Sequence, residues 1–268
     1  ATPAREPQAS FLFLPTYINS LQHPPATPYT IIIYHMVNLV FFGSSPFSII
    51  VLEKLINQVS AVVTTPDKPV GRHLKLTPNP VKLLAQKNNI LVIESFSELF
   101  AREARSSDRN CKLKIENSVG LVAAYGRIIP QEILDKFNGQ IYNIHPSPLP
   151  KYRGSSPLQQ QILDGVTETG VTLIQLDAKM DHGPIVAQVK DIIRPDDTWI
   201  TLGHRLFELG ADWFLTSPLS PLLNQERGTE GVRYIEQDDS LASYTKKLTR
   251  QSGFVPWEEF QPEKQDRQ

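Results

Sequence analysis

The amino-acid sequence predicts an α/β protein built on a doubly wound, mostly parallel sheet. Short apolar segments of strand length alternate with segments whose apolar residues recur at helical spacing, which is the pattern of strand–helix–strand units. Several helical segments also follow a polar residue and a proline, the pair that caps a helix and fills its first turn. These observations predict a Rossmann-like fold.

The predicted elements alternate along the central part of the chain. Five short apolar runs predict strands, in order VNLVFFG, VSAVVTT, ILVIE, VGLVAAYG and GQIYNI. Three helices follow a cap-and-proline pair or a proline, namely PFSIIVLEKLINQ after Ser45, VKLLAQKNN after Asn79 and PQEILDKF. LQQQILDG follows Ser156 and ends at Gly165, a natural helix stop. Two β-rich runs, GVTLIQLD and IVAQVKDII, precede the last helix, TLGHRLFELGADWFL.

This alternation predicts a main domain over residues 36–217, with a different composition on each side. Residues 1–35 hold many prolines and show no helical or strand period, so we expect a disordered or non-native extension. Residues 218–268 carry only scattered apolar anchors, too few to build a core. They predict a linker followed by a polar tail.

The composition argues against several classes of protein. Lysine and arginine total 27 against 28 acidic residues, so no overall charge points to nucleic acid or a membrane. The single cysteine, Cys111, excludes an internal disulfide framework and a multi-cysteine metal cluster. The longest apolar run, residues 31–42, is interrupted and too short to span a bilayer. We therefore expect a cytoplasmic, monomeric protein.

The turn after the first strand argues against a dinucleotide enzyme. It reads FFGSSPFS, with one glycine where nicotinamide and flavin enzymes have G-x-G-x-x-G. The sequence also lacks the G-x-x-x-x-G-K-[ST] phosphate loop, the H-E-x-x-H zinc motif and the G-x-S-x-G nucleophile motif.

Asn143 and His145 end the fifth predicted strand, within YNIHPSPLPKYRG, residues 142–154. Residues i and i+2 of a strand face the same side, and open α/β sheets bind ligands at the carboxyl ends of their strands. An amide beside an imidazole can stabilise the oxyanion of a tetrahedral intermediate, and the imidazole can carry a proton. Taken alone, however, the pair fits a hydrogen-bonded asparagine and a partly buried histidine without a function.

Two further features favour an active site. The prolines of PSPLPKYRG stiffen the loop that follows, and its backbone carbonyls suit the edge of a flat heterocycle. Asp181 precedes a Gly-Pro break between the two β-rich runs. A carboxylate there could orient the imidazole or favour its protonated form, although Asp-Gly turns are common.

Residues 142–188 closely resemble the core of the folate-dependent formyltransferases, whose shared motifs are Asn-x-His, Ser-x-Leu-Pro and a later Asp-x-Gly. Residues 64–86, TTPDKPVGRHLKLTPNPVKLLAQ, are similar to a segment typical of those that act on methionyl-tRNA. The resemblance runs from about residue 36 to residue 257. The sequence departs from the family pattern at Pro146 and Pro148, where glycine and leucine are usual.

The resemblance implies the formyltransferase fold, with residues 36–217 as the catalytic domain and residues 218–268 as a linker and the start of an incomplete second domain. It also implies transfer of the formyl group of 10-formyltetrahydrofolate, the co-substrate, to the α-amine of methionine on the initiator tRNA. The matching catalytic residues are Asn143, His145 and Asp181. The matching folate-contacting residues are Ser147, Pro148, Leu149 and Pro150.

In this reaction the substrate amine is itself the nucleophile, so neither a serine or cysteine nucleophile nor a metal is expected. Asn143 is then an oxyanion donor, His145 an oxyanion donor and proton carrier, and Asp181 the electrostatic partner of the histidine. The alternatives are a formyltransferase acting on a small amine (a sugar nucleotide or glycinamide ribonucleotide), a folate hydrolase, and a binding module without activity.

Residues 67–82 are basic and interrupted by proline and glycine, which predicts an exposed loop. Without the resemblance, such a cluster is most simply a solvated surface. With it, we expect the loop to contact phosphates of the tRNA acceptor end. The expected tRNA-binding residues are Lys68, Arg72 and Lys75, with the arginine foremost because a guanidinium binds phosphate and stacks on bases.

Overall fold

A seven-stranded sheet lies at the centre of the residues that the computed structural model describes, which are 38–70, 74–104, 113, 115, 118–216 and 234–248. All of them belong to one unit, residues 34–268. The strands are β1 (Asn38–Phe42), β2 (Val59–Val63), β3 (Lys68–Val70), β4 (Lys75–Thr77), β5 (Leu91–Ile93), β6 (Ser118–Ala123), β7 (Ile141–His145), β8 (Arg153–Gly154), β9 (Glu168–Gln175), β10 (Ile185–Ile192) and β11 (Tyr244–Thr245). The helices are α1 (Pro46–Leu55), α2 (Pro80–Lys87), α3 (Phe96–Ala104), α4 (Gln131–Lys136), α5 (Pro157–Leu163) and α6 (Trp199–Thr216).

The strand order of the sheet is β10-β9-β7-β6-β1-β2-β5. From β7 to β5 all neighbours are parallel, whereas β9 runs antiparallel to both β7 and β10. The predicted mostly parallel sheet is therefore confirmed. Because β6 and β7 are parallel neighbours, their carboxyl ends lie at the same edge, where sheets of this class bind ligands.

Both faces of the sheet are covered by helices. In β1, Leu39 and Phe41 pack into a core shared with α1, α2, α5 and α6, and Val40 and Phe42 pack into a second core with α3 and α4. A strand buried on both faces reads as a continuous apolar run, which is why the central strands were predictable.

The predicted starts of α1 and α2 are confirmed by their caps. The Ser45 hydroxyl accepts a hydrogen bond from the Phe47 amide at 3.3 Å, and the Asn79 side chain accepts one from the Val81 amide at 2.9 Å. Helix α5 also begins at the predicted proline, but Ser156 makes no cap hydrogen bond. Its hydroxyl instead accepts from the Leu248 amide at 3.4 Å.

The structure differs from the sequence-based expectation in three places. Residues 67–82 were expected as an exposed loop, but β3 and β4 form an antiparallel hairpin there. Helix α3 was not predicted, because its sequence FSELFAREA is short and half polar. The two-residue strands β8 and β11 pair with each other in parallel, and no local pattern marks a pairing between segments so far apart in the chain.

Residues 234–248 contact the main sheet and the loop after β7. Ile235 forms a β-bridge with Ile185, and the Arg153 amide donates to the Ser243 carbonyl at 2.8 Å. The expected extension 1–35 and Cys111 lie outside the described residues. The boundary at residue 217 stays a prediction. No helix in the described ranges is both long and apolar enough to cross a membrane.

Candidate active site

Asn143 and His145 lie together at the carboxyl end of β7. Their neighbours Tyr142 and Ile144 pack into the core beneath α1 and α6, so the polar pair faces the opposite side of the sheet. Asn143 is half-buried, and only 4% of His145 is exposed. The strand therefore presents one amide and one nearly enclosed imidazole at the edge of the sheet.

Asp181 reaches the same point from the loop between β9 and β10. Its Oδ1 accepts a hydrogen bond from Asn143 Nδ2 at 3.3 Å and lies 3.5 Å from His145 Nδ1. Its Oδ2 accepts from the Gly154 amide at 2.8 Å. The structure thus brings together the three residues that the sequence singled out.

The hydrogen bonds of His145 define its neutral tautomer. Nε2 lies 3.0 Å from the Tyr152 carbonyl oxygen, and because a carbonyl only accepts, Nε2 carries the proton. Nδ1 of the neutral ring then holds a lone pair on the side of Asp181. A proton taken up at Nδ1 would lie between the imidazole ring and the Asp181 carboxylate.

The proline-rich loop after β7 is held by a hydrogen bond within the loop and by another to β9. The Ser147 hydroxyl donates to the Lys151 carbonyl at 2.7 Å, and the Leu149 amide donates to Thr172 Oγ1 at 3.1 Å. The side chains of Ser147 and Leu149 are buried, whereas Pro148 and Pro150 are half-buried. Of the four residues expected to contact folate, only the two prolines therefore present side-chain surface.

The basic residues between 67 and 82 do not act as one group. Lys82 is held by Asp67 Oδ2 at 3.1 Å and by Glu94 Oε1 at 3.0 Å, so these carboxylates neutralise its charge. Lys68 and Lys75 are exposed on the hairpin. The register pairs Lys68 with Thr77 and Val70 with Lys75, which places both lysines on one face. Arg72 lies outside the described residues.

Arg153 is the residue at this site whose part the sequence did not reveal. It is completely buried, although arginine is almost never fully buried unless it is paired. Burial lowers the pKa of its guanidinium, but the hydrogen bonds that it donates to Tyr244 and Asp239 outweigh that effect and raise the pKa. Its position directly after the proline loop indicated that it lies near the site. Its burial could not be predicted, because its partners come from residues 237–244.

With this geometry defined, comparison with known proteins identifies the family. Residues 37–217 match the family described as formyl transferase. The chain belongs to this formyl transferase family. A relative, the methionyl-tRNA formyltransferase of Halalkalibacterium halodurans, is 37% identical over 224 residues, which are 82% of this chain and 67% of the relative.

Two solved structures extend the comparison of this formyltransferase chain. The N-formyltransferase of Helicobacter canadensis, in complex with folinic acid and dTDP-3-aminofucose, is 25% identical with a TM-score of 0.57, covering 81% of this chain and 72% of that one. Glycinamide ribonucleotide transformylase 1 of Geobacillus kaustophilus is 25% identical with a TM-score of 0.53, covering 72% and 100%. The predicted formyltransferase fold and the formyl-transferring class of enzyme are therefore confirmed.

The described part of this formyltransferase contains no group of three or more histidine, cysteine, aspartate or glutamate side chains placed to hold a metal ion. What the site does present is an amide, an imidazole and a carboxylate. Hydrogen-bond donors and a proton acceptor of this kind are what an amine needs when it attacks a formyl carbon.

Proposed function

We propose that this protein transfers the formyl group of 10-formyltetrahydrofolate to the α-amine of methionine carried by the initiator tRNA. The observation that carries the proposal is the convergence of Asn143 and His145 on the Asp181 carboxylate at the carboxyl end of β7. Family membership and relatives named methionyl-tRNA formyltransferase support it. The proposal places the protein in the cytoplasm, as a monomer that acts before translation initiation.

Each member of the trio has a defined part. Asn143 Nδ2 has two hydrogens and spends one on Asp181, so the other can donate to the developing oxyanion. His145 takes the proton of the attacking amine at Nδ1, because Nε2 is committed to the Tyr152 carbonyl. Asp181 then stabilises the imidazolium and keeps the ring in place.

The loop after β7 would hold the formyl donor, which supplies the carbon that the amine attacks. The rings of Pro148 and Pro150 offer a stiff, partly exposed apolar surface beside the trio. Ser147 and Leu149 support that surface from within, through the Lys151 carbonyl and Thr172 Oγ1. A surface fixed before binding loses little entropy when a flat heterocycle stacks on it.

The tRNA would contact the β3–β4 hairpin through Lys68 and Lys75. The two lysines lie exposed on one face, as phosphate contacts require. Leu74 and Leu76 on the same hairpin are 72% and 62% exposed, so the hairpin also offers apolar surface. Arg72 remains part of the proposal on its sequence position alone.

The alternative is a small amine as the formyl acceptor, either an amino sugar nucleotide or glycinamide ribonucleotide. It is favoured by the solved relatives, one bound to dTDP-3-aminofucose and one a glycinamide ribonucleotide transformylase. The trio would serve either acceptor equally well, since an amine attacks the same formyl group in each case. The two functions therefore differ in how the acceptor is held.

A direct comparison of acceptors tests the proposal. The full chain is incubated with 10-formyltetrahydrofolate and, in parallel, methionyl initiator tRNA, an amino sugar nucleotide or glycinamide ribonucleotide, and release of tetrahydrofolate is followed. We expect kcat/KM for the charged tRNA to exceed that for either small amine by on the order of 10²-fold or more, in line with remote contacts that assist the chemical step. Uncharged initiator tRNA, which lacks the amine, is the control. A preference for a small amine would overturn the assignment.

A further inference from the structure

Arg153 is the centre of a hydrogen-bond network made by the segment 234–248. Its Nε and Nη2 donate to Gln237 Oε1 at 3.1 and 2.8 Å. Its Nη1 donates to Asp239 Oδ1 at 2.8 Å and to the Tyr244 hydroxyl at 3.1 Å. Removing one partner of a buried guanidinium strongly destabilises the fold. These contacts therefore fix the segment against β8.

Gln237 extends the network to the backbone of the Asp181 loop. Its Nε2 donates to the carbonyls of Asp181 and Gly183 at 2.9 and 2.8 Å. The amide has only one useful orientation, because a flipped side chain would turn its NH₂ group toward the guanidinium. Gln237 therefore joins a buried cation to the loop that carries the proposed catalytic carboxylate.

The backbone on either side of Arg153 contacts the trio directly. The Tyr152 carbonyl accepts from His145 Nε2, and the Gly154 amide donates to Asp181 Oδ2. The side chain of Arg153 thus anchors the chain at a point where the peptide groups before and after this residue orient the imidazole and the carboxylate. Two routes, one through Gln237 and one through the backbone, lead from this arginine to the site.

Asp181 needs such support because its backbone is in the left-handed region, with φ at 50°. This conformation is strained for a residue other than glycine and persists where surrounding contacts fix it. The two hydrogen bonds from Gln237 lie on this stretch, one on Asp181 itself and one on Gly183.

We propose that Arg153 and Gln237 are positioning residues, which hold the Asp181 loop so that the carboxylate faces Asn143 and His145. The segment 234–248 then completes the site that the main sheet begins. The inference rests on the proposed function, in which Asp181 stabilises the protonated histidine. Neither residue would touch the substrates, and both would act through Asp181.

Gln237 is the better residue for a test, because replacing the buried Arg153 could prevent folding. Gln237→Glu retains an acceptor for Arg153 but removes both hydrogen bonds to the loop. Gln237→Leu removes the acceptor as well as both hydrogen bonds. We expect kcat to fall on the order of tenfold in each variant, with KM for 10-formyltetrahydrofolate unchanged. Gln131→Leu is the matched control: this exposed glutamine donates to Asp135 on its own helix, α4, and the kcat of the variant should equal that of the wild type. A normal kcat in Gln237→Glu would overturn the proposal.

A double-mutant cycle separates positioning from a general loss of structure. Asp181→Asn alone should lower kcat on the order of 10²-fold, and adding Gln237→Leu should change it less than twofold further, since the residue acts through a carboxylate that is already gone. Independent effects that multiply to about 10³-fold would overturn the proposal.

Hydrogen exchange tests the same inference without any substrate, so its outcome does not depend on which acceptor the enzyme uses. Amides of residues 177–183 should exchange at least tenfold faster in Gln237→Leu than in the wild type or in Gln131→Leu, with the central strands unchanged. If exchange in the loop is unaltered, the inference fails whatever the acceptor. If the loop loosens but methionyl-tRNA is not formylated, only the proposed function fails.

Discussion

Asn143 and Asp181 are 38 positions apart in the chain, yet the amide of the first donates to the carboxylate of the second over 3.3 Å. The same oxygen lies 3.5 Å from His145 Nδ1, and the other carboxylate oxygen is held by the Gly154 amide. A carboxylate fixed at both oxygens cannot rotate away from the imidazole. Its negative charge is thus in place before the histidine takes up a proton, which is the preorganisation that catalysis requires.

Replacing the histidine should remove most of the activity. We expect His145→Ala to lower kcat on the order of 10²-fold or more, because it removes the only imidazole of the trio and with it the acceptor for the amine proton. The measurement is single-turnover formylation of methionyl-tRNA. His204, exposed on α6, provides the control, and His204→Ala should retain wild-type kcat. Near-normal turnover of His145→Ala would contradict the mechanism.

Removing the two hairpin lysines should weaken tRNA binding and leave the folate site intact. In the double variant Lys68→Ala, Lys75→Ala we expect KM for methionyl-tRNA to rise several-fold, with KM for 10-formyltetrahydrofolate unchanged. The slope of log affinity against log salt should become smaller in magnitude by about one to two, because each phosphate contact that is lost means about one counterion fewer released on binding. Lys87→Ala removes an exposed lysine at the end of α2 and should alter neither quantity. An unchanged salt slope would exclude phosphate contacts by these lysines.

The sequence was a good guide to the elements that bury both faces and a poor guide to short ones. The run Leu39–Phe42 is apolar throughout because each side chain enters one of two cores, and such a run can be recognised locally. The basic stretch, by contrast, was expected as a loop, and its hairpin of two three-residue strands is exposed on the β4 side. Three residues give too little alternation to identify a strand.

The candidate site shows the same division between local and distant information. The spacing of Asn143 and His145 predicts that they share a face, and the family resemblance adds Asp181. Neither indicates that Arg153 is buried, because its partners Gln237 and Tyr244 follow it by 84 and 91 positions. Such a pairing depends on the folded chain and leaves no periodic signal in the sequence.

Asp197 should make the free energy of unfolding depend on pH in the acidic range. Hydrogen bonds from Arg205, above all, lower the pKa of this buried carboxyl to about 2. A depressed folded-state pKa stabilises the protein above the unfolded pKa of about 3.9, and this contribution is lost as the pH falls toward 2. We expect Asp197→Asn to lower the free energy of urea unfolding by about 2 kcal/mol at pH 7, with the difference from the wild type shrinking below pH 4. Asp196→Asn, at an exposed neighbour, is the control. A difference that does not change between pH 7 and pH 2.5 would contradict the assignment.

Gly183 leaves no room for a side chain beside the trio. A Cβ at this position would lie 1.9 Å from the Gln175 carbonyl oxygen, a backbone atom at the end of β9, so Gly183→Ala must displace the loop that carries Asp181. We expect the free energy of unfolding to fall by roughly 1–3 kcal/mol and kcat to fall with it, measured by urea unfolding and by turnover at saturating substrates. Gly165→Ala separates the two effects, because a Cβ there meets no atom within 4 Å and only the positive φ of 66° is strained. That variant should lose about 1 kcal/mol and keep wild-type kcat. If Gly183→Ala loses stability but retains full activity, the geometry of the Asp181 loop does not govern the reaction.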